Sequence, residues 1–180
     1  MNLQKYKAVT DQYKSEFALF KDKFFPVTMQ MEGGGKLHNV AGDSGGWTIW
    51  GIAYNYQKHL FSSFEDFKDT TRDEAAHFAF VEFYLKIKAD RMPCGTKLKY
   101  FDMAYNMGTD RVIKMMQGCA GVAADGQIGA KTLGAMSKVT KDCLKAKRDS
   151  YYRSLGSKPA YSKFLKGWLS RSDAVYDVKF

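Results

Sequence analysis

Residues 32–52, EGGGKLHNVAGDSGGWTIWGI, bring together two carboxylates (Glu32 and Asp43), a threonine five positions after the second (Thr48), and seven glycines. Glycine loses more backbone entropy on folding than any other residue and adds no side chain to a core. A cluster of this density therefore implies tight turns and close approach of another group. Upstream, residues 26–32 read as a short helix with Gly33 as its stop signal. Downstream, 36–40 and 47–52 carry strand-forming residues around a turn over 41–46. The pattern predicts a small antiparallel sheet attached to a helical body, with Glu32, Asp43 and Thr48 brought together by the turns.

Working outward, Leu3, Tyr6, Val9, Tyr13, Phe17, Phe20 and Phe24 recur at steps of three and four. That is the period of a helix over 2–25 with one buried face, and it is ended or bent at Phe25-Pro26. The stripe suits a core face, with a membrane-surface helix as the other reading. Residues 53–91 are helical, with a Thr71/Glu74 capping box and Ser63 capping a short helix before it. Residues 92–95, MPCG, interrupt the pattern and mark a hinge rather than a domain boundary. Helices follow over 98–107, where Asp102 and Asn106 share one face, and over 110–117. After the loop around Asp125, Gly126 and Gly129 come a short helix and two more, over 139–155 and 159–176. The fold class is mainly α (α+β), and at 180 residues one compact unit is the default.

The formal charge of +9 favours an anionic partner. The lysines are spread along helix faces rather than gathered into a reading surface, so a nucleic-acid role would rest on charge alone. Cys94, Cys119 and Cys143 are odd in number and lack metal spacing, and three reduced thiols are expected. His38, His59 and His77 stand far from second ligands and read as structural or surface residues. No apolar run of eighteen occurs, and the first residues lack the apolar core of a signal peptide.

Glu32 sits at the negative end of a helix macrodipole, where the protonated carboxyl a general acid needs is favoured. A surface glutamate before a glycine cap is the plainer reading. Asp43 reads either as an Asx-turn residue or as an ionised carboxylate facing the same space as Ser44 and Thr48.

Glu32-Gly33-Gly34, then Asp43-Ser44-Gly45-Gly46-Trp47-Thr48, then Gly51-Ile52 together resemble the glycoside hydrolase 108 N-acetylmuramidases, peptidoglycan hydrolases of phages and bacteria with a lysozyme-like fold. FDMAYNMG at 101–108, DGQIGAKTL at 125–133 and KFLKGWLSR at 163–171 are similar to the C-terminal region that such proteins carry for peptidoglycan binding. The resemblance implies one lysozyme-like catalytic domain over 1–180 with two lobes. Residues 1–92 would hold the catalytic glutamate and hairpin, and 96–180 a helical lobe that resembles a peptidoglycan-binding region.

It further implies cleavage of the β-1,4 bond between N-acetylmuramic acid and N-acetylglucosamine. Glu32 would be the acid, Asp43 and Thr48 would hold the attacking water, and the further likeness of Glu32, Asp43 and Thr48 to the phage T4-type lysozymes implies inversion at the anomeric centre. Trp47, Trp50, Asp102, Tyr105 and Asn106 are the candidate sugar contacts, with core packing the other reading for the tryptophans. No metal or organic cofactor is implied.

The expected partner is bacterial peptidoglycan, with electrostatic contact to anionic envelope polymers, no nucleic acid, no stable membrane insertion and a monomeric chain. The resemblance to phage endolysins implies synthesis in a host cytoplasm without a signal peptide and action in the periplasm and cell wall after holin-type release. A lytic transglycosylase and a non-catalytic peptidoglycan-binding protein of the same fold are the rival readings.

Overall fold

The structure, a computed structural model, describes residues 3–39 and 44–179, and the chain divides into two compact units, Met1–Glu82 and Phe83–Phe180. In the first unit the backbone is helical almost without interruption from Gln4 to Met31. The expected break at Pro26 is absorbed instead. The segment Phe20–Phe24 winds as a π-helix, and the Phe25 N–H reaches back to the Phe20 carbonyl. Pro26 then occupies the first turn of the helix Phe25–Met31, where its missing N–H is no loss. A proline ring crowds the carbonyl four residues earlier, and a widened turn relieves that contact.

The buried stripe of this segment, Tyr6, Phe20, Phe24 and Phe25, packs as the 3.6-residue period requires. Phe20 meets Phe80 at 5.2 Å between ring centroids and Tyr6 meets Phe78 at 5.8 Å. The helix Arg72–Ala79 that supplies this face opens on the expected capping box. The Thr71 N–H donates to Glu74 Oε2 (2.8 Å), and the Glu74 N–H donates to Thr71 Oγ1 (3.2 Å). Ser63 caps Phe64–Lys68 by accepting the Asp66 N–H.

The sheet has three antiparallel strands in the order β1 (His38–Asn39), β2 (Trp47–Ile49) and β3 (Ile52–Ala53). Residues 47–52 are thus two strands rather than the one expected. The chain reverses at Trp50-Gly51, both with positive φ (53° and 76°), the backbone of a two-residue type I′ hairpin turn. Such turns are ordinarily announced by Asn-Gly or Asp-Gly, and a tryptophan at the first position concealed this one.

In the second unit the helix Cys94–Met107 buries Tyr100, Phe101, Asp102, Met103 and Ala104 in succession. Lys141–Gly156 packs against it and against Thr109–Ala120 and Leu165–Asp177. Gly108, at φ 87°, separates Cys94–Met107 from Thr109–Ala120. The buried Gln117 ties down the DGQIG loop: its Nε2 donates to Asp125 Oδ1 (2.7 Å), and its Oε1 accepts the Gly126 N–H (2.8 Å). Among the described residues no helix is long and apolar enough to cross a membrane.

The expectation of three reduced thiols is corrected. Cys119 and Cys143 form a disulfide across a sequence separation of 24, and only Cys94 is free. The two cysteines lie on different helices, Thr109–Ala120 and Lys141–Gly156, so spacing alone could not pair them. Loop-closure entropy for a link of this length corresponds to about 3 kcal/mol. Reduction, or Cys143→Ser, is expected to lower the unfolding free energy of the second unit by roughly that amount, read as a fall in its thermal midpoint on adding dithiothreitol. A midpoint indifferent to reductant would contradict the cross-link.

Candidate active site

Glu32 is the C-cap of the helix Phe25–Met31 and is half-buried. Its N–H donates to the Thr28 and Met29 carbonyls, and the Gly34 N–H donates to the Met29 carbonyl at 2.8 Å. With Gly33 at φ 76°, this is a Schellman closure, which satisfies the last carbonyls and turns the chain away directly after the glutamate. An L-side chain at Gly33 or Gly34 (φ 68°) would be strained, so the glycine run follows from the helix ending here.

Gly35 is demanded by space rather than by φ. A Cβ there would lie 2.2 Å from Cζ2 of Trp50, so the backbone three residues after Glu32 lies directly on the tryptophan ring. Trp50 holds a left-handed conformation that costs a non-glycine residue on the order of 1–3 kcal/mol. Its Nε1–H, donating to the Thr70 carbonyl at 2.8 Å, and its seat on Gly35 hold it in place. The hairpin turn and the segment leaving Glu32 therefore support each other. Gly35→Ala is expected to force the ring out, destabilising the first unit by about 1–3 kcal/mol through overpacking and depressing wall-clearing activity. Unfolding and turbidity assays on the variant would check both, and an unaltered hairpin would show the packing to be dispensable.

Thr48 is half-buried in β2, paired with His38 on one side and Ala53 on the other, and its Oγ1 donates to the Gly46 carbonyl at 3.3 Å. Alternation along the strand puts it on the face opposite Ile49, which is buried together with its pair Ile52. Trp47 is 41% exposed beside Phe64 (6.0 Å between centroids), so it has surface to offer a sugar, whereas the Trp50 ring is engaged with Gly35 and Thr70. The turn before β2 is fastened by Asn55, whose Nδ2 donates to the Ser44 carbonyl and whose N–H donates to the Gly45 carbonyl, and by a contact between the Ser44 and Tyr56 hydroxyls. Asp43 lies outside the described residues.

The other candidates belong to the second unit, and Asp102 has a task other than the expected sugar contact. It is completely buried, with its Oδ2 2.8 Å from Arg148 Nη2 and its Oδ1 2.8 Å from Arg171 Nη2. Burial would push its carboxyl up, but the two guanidiniums outweigh burial and hold it below the usual carboxylate range. No part of it is left for a ligand. Tyr105 is half-buried against Phe83 and Phe101, and Asn106 is exposed, its Oδ1 accepting the Tyr152 hydroxyl proton at 2.6 Å. Arg148 and Arg171 carried no signal in the sequence, because lysines and arginines on amphipathic helices read alike as solvated.

Comparison with known proteins fits this arrangement. The glycosyl hydrolase 108 family model matches residues 25–108, from the helix bearing Glu32 through the sheet to the end of Cys94–Met107, and the model described as a predicted peptidoglycan domain matches residues 111–173. No curated protein matches the sequence. Among solved structures, Brucella abortus SagA is similar with a TM-score of 0.69 and 30% sequence identity, covering 91% of this chain and 92% of that one. The fold is lysozyme-like, mainly α with a small antiparallel sheet. With the likeness to SagA running through nearly the whole length of both chains and the family model covering the Glu32 helix and the hairpin, this chain belongs to the glycosyl hydrolase 108 family and is a peptidoglycan hydrolase.

Proposed function

We propose that the protein is an N-acetylmuramidase that hydrolyses the β-1,4 bond between N-acetylmuramic acid and N-acetylglucosamine with inversion, Glu32 serving as general acid and Asp43 and Thr48 positioning the water. The position of Glu32 carries this reading: a half-buried carboxyl at the Schellman-closed end of a helix, with Gly35 laid on the Trp50 ring of the hairpin that bears Thr48. Glycosidic cleavage passes through an oxocarbenium-like state and needs an acid on the leaving oxygen and a water at the anomeric carbon.

In the proposed step, Glu32 gives its proton to the glycosidic oxygen as the C–O bond breaks. Asp43 takes a proton from the water that adds to the anomeric carbon from the opposite face, with the Thr48 hydroxyl orienting that water. Trp47, whose ring is exposed on the opposite face of β2 from Thr48, is the proposed outlying sugar platform. The positive charge of the chain would hold it to an anionic wall by contacts that weaken with salt.

We assign the working site to the periplasm and cell wall, reached after synthesis in a host cytoplasm by holin-type release. The Cys119–Cys143 disulfide suits an oxidising compartment of this kind.

Mass spectrometry of digested peptidoglycan tests the bond and the reaction type. Fragments with hydrated, reducible N-acetylmuramic acid ends are expected. Anhydro-muramyl ends would mean a lytic transglycosylase, and N-acetylglucosamine ends would mean the other linkage is cut. NMR of the nascent reducing end, read before mutarotation, decides inversion, with the α-anomer as the expected first product.

A further inference from the structure

The second unit contains a pocket of about 150 Å³ bordered by Asn106, Arg111, Tyr151, Tyr152, Leu155 and Trp168. Whole small-molecule ligands occupy pockets of roughly 300–1,000 Å³. A space this small suits one branch of a ligand rather than a complete disaccharide.

Its chemistry is one-sided. No acidic residue borders it. Arg111 is exposed, and among the described residues it makes no ion pair. Its Nη1 donates to the Met107 carbonyl at 2.8 Å and its guanidinium lies 4.5 Å from the Tyr151 ring centroid. These two contacts fix the fork while leaving most of its N–H groups to donate elsewhere. Asn106 is oriented likewise. Its Oδ1 is occupied by the Tyr152 hydroxyl, which itself accepts from Arg148 Nε at 3.2 Å, so the Asn106 amide N–H groups remain to be offered. The Trp168 indole can only donate. Apart from the Tyr151 hydroxyl and the second lone pair of Asn106 Oδ1, then, the polar side-chain groups left to the pocket are donors, and an acceptor-only anion matches them.

Beside the donors runs a row of stacked rings. Tyr152 and Trp168 lie 5.4 Å apart at 21°, and Trp168 and Phe164 lie 5.7 Å apart at 29°, with Phe164 45% exposed. Such faces suit the apolar side of a pyranose or of a peptide.

We infer that this pocket takes a carboxylate of the peptidoglycan peptide stem on Arg111 and Asn106, with the adjoining sugar or peptide against Trp168. The inference rests on peptidoglycan as substrate and is independent of which residue performs the cleavage. A planar carboxylate accepts two parallel N–H bonds from a held guanidinium, and charge-assisted pairs of this kind are among the stronger hydrogen bonds.

Calorimetric titration with N-acetylglucosaminyl-N-acetylmuramyl-peptide tests it, because that disaccharide lacks the bond proposed to be cut and binding is read without turnover. Arg111→Ala and Trp168→Phe are compared with wild type, and the ligand is compared with its stem-free form and with a form whose stem carboxyls are amidated. Teichoic acid serves as a phosphate competitor. The expected result is that Arg111→Ala binds the free-carboxylate ligand at least about tenfold more weakly, that the amidated and stem-free ligands bind wild type and Arg111→Ala equally weakly, and that Arg111→Lys recovers binding only in part. Trp168→Phe keeps a ring in the stack and is expected to give a smaller loss.

Equal binding of the free-carboxylate ligand by wild type and Arg111→Ala, with both unfolding at the same temperature, overturns the inference. Displacement of the peptide ligand by teichoic acid at lower concentration than by the free stem peptide overturns the assignment to a carboxylate. Loss of wall clearing on Glu32→Gln leaves these titrations unaffected, so failure of the catalytic reading and failure of this one are told apart.

Discussion

Glu32→Gln is expected to slow clearing of purified peptidoglycan by roughly 10²–10⁴-fold, the usual contribution of a positioned general acid, while leaving the thermal unfolding midpoint unchanged. The substitution preserves the shape of the side chain and removes only the transferable proton. The Schellman closure that positions residue 32 is made by backbone groups of Thr28, Met29 and Gly34, so it survives the change. Activity and stability are thereby expected to separate at this position. Glu32→Asp keeps the acid but draws it back by one methylene, and an intermediate loss is expected because proton transfer depends on reach. Wild-type clearing by Glu32→Gln would remove Glu32 from the mechanism.

Asp102→Asn is expected to have the largest effect on stability of any single substitution considered. The carboxylate is fully buried between Arg148 and Arg171, whose side chains are only 3% and 10% exposed. Removing its charge leaves two nearly buried guanidiniums uncompensated, a loss of about 3–5 kcal/mol where one partner of a buried pair is deleted. For a chain of this size that corresponds to a fall in midpoint of roughly 6–20 °C.

The same centre makes a pH prediction. The folded carboxyl is held below its ordinary value of 3.8, so the stabilisation is fully present above that value and is lost as pH falls through the depressed folded value. Acid unfolding of the second unit is therefore expected to begin below about pH 4 in wild type and to lose this component in Asp102→Asn. A midpoint within a degree of wild type would mean that the two arginines find other partners or water.

The placement of Glu32 was legible because its determinants are local. The position of Glu32 depends on a helix ending at a glycine pair, and a Schellman closure needs only residues 29–34. The capping box at Thr71 and the cap at Ser63 span three residues each and were found for the same reason. The hairpin turn at Trp50-Gly51 was missed although it is equally local. Its tryptophan is tolerated in the left-handed region through contacts with Gly35 and Thr70, which lie 15 and 20 residues away in sequence. Asp102 departs from its sequence pattern for the same reason. Four residues from Asn106 on one helix, it shares a periodic position with an exposed residue, and only the approach of Arg148 and Arg171 from other helices reveals it as the centre of an ion cluster.

By itself the sequence determined the helix-then-sheet order around residues 32–52, the glycine stop after Glu32, and the caps at Ser63 and Thr71. Each follows from backbone sterics and hydrogen bonding within a few residues, which composition and spacing record directly. Tertiary structure alone decided which cysteines pair, which acid is buried in an ion cluster, why Gly35 cannot carry a side chain, and that Asn106, Arg111, Tyr151 and Trp168 border one pocket. Those outcomes depend on contacts between segments far apart in the chain. There the free energy is set by burial and by the geometry of paired charges, quantities that no local pattern of residue types encodes.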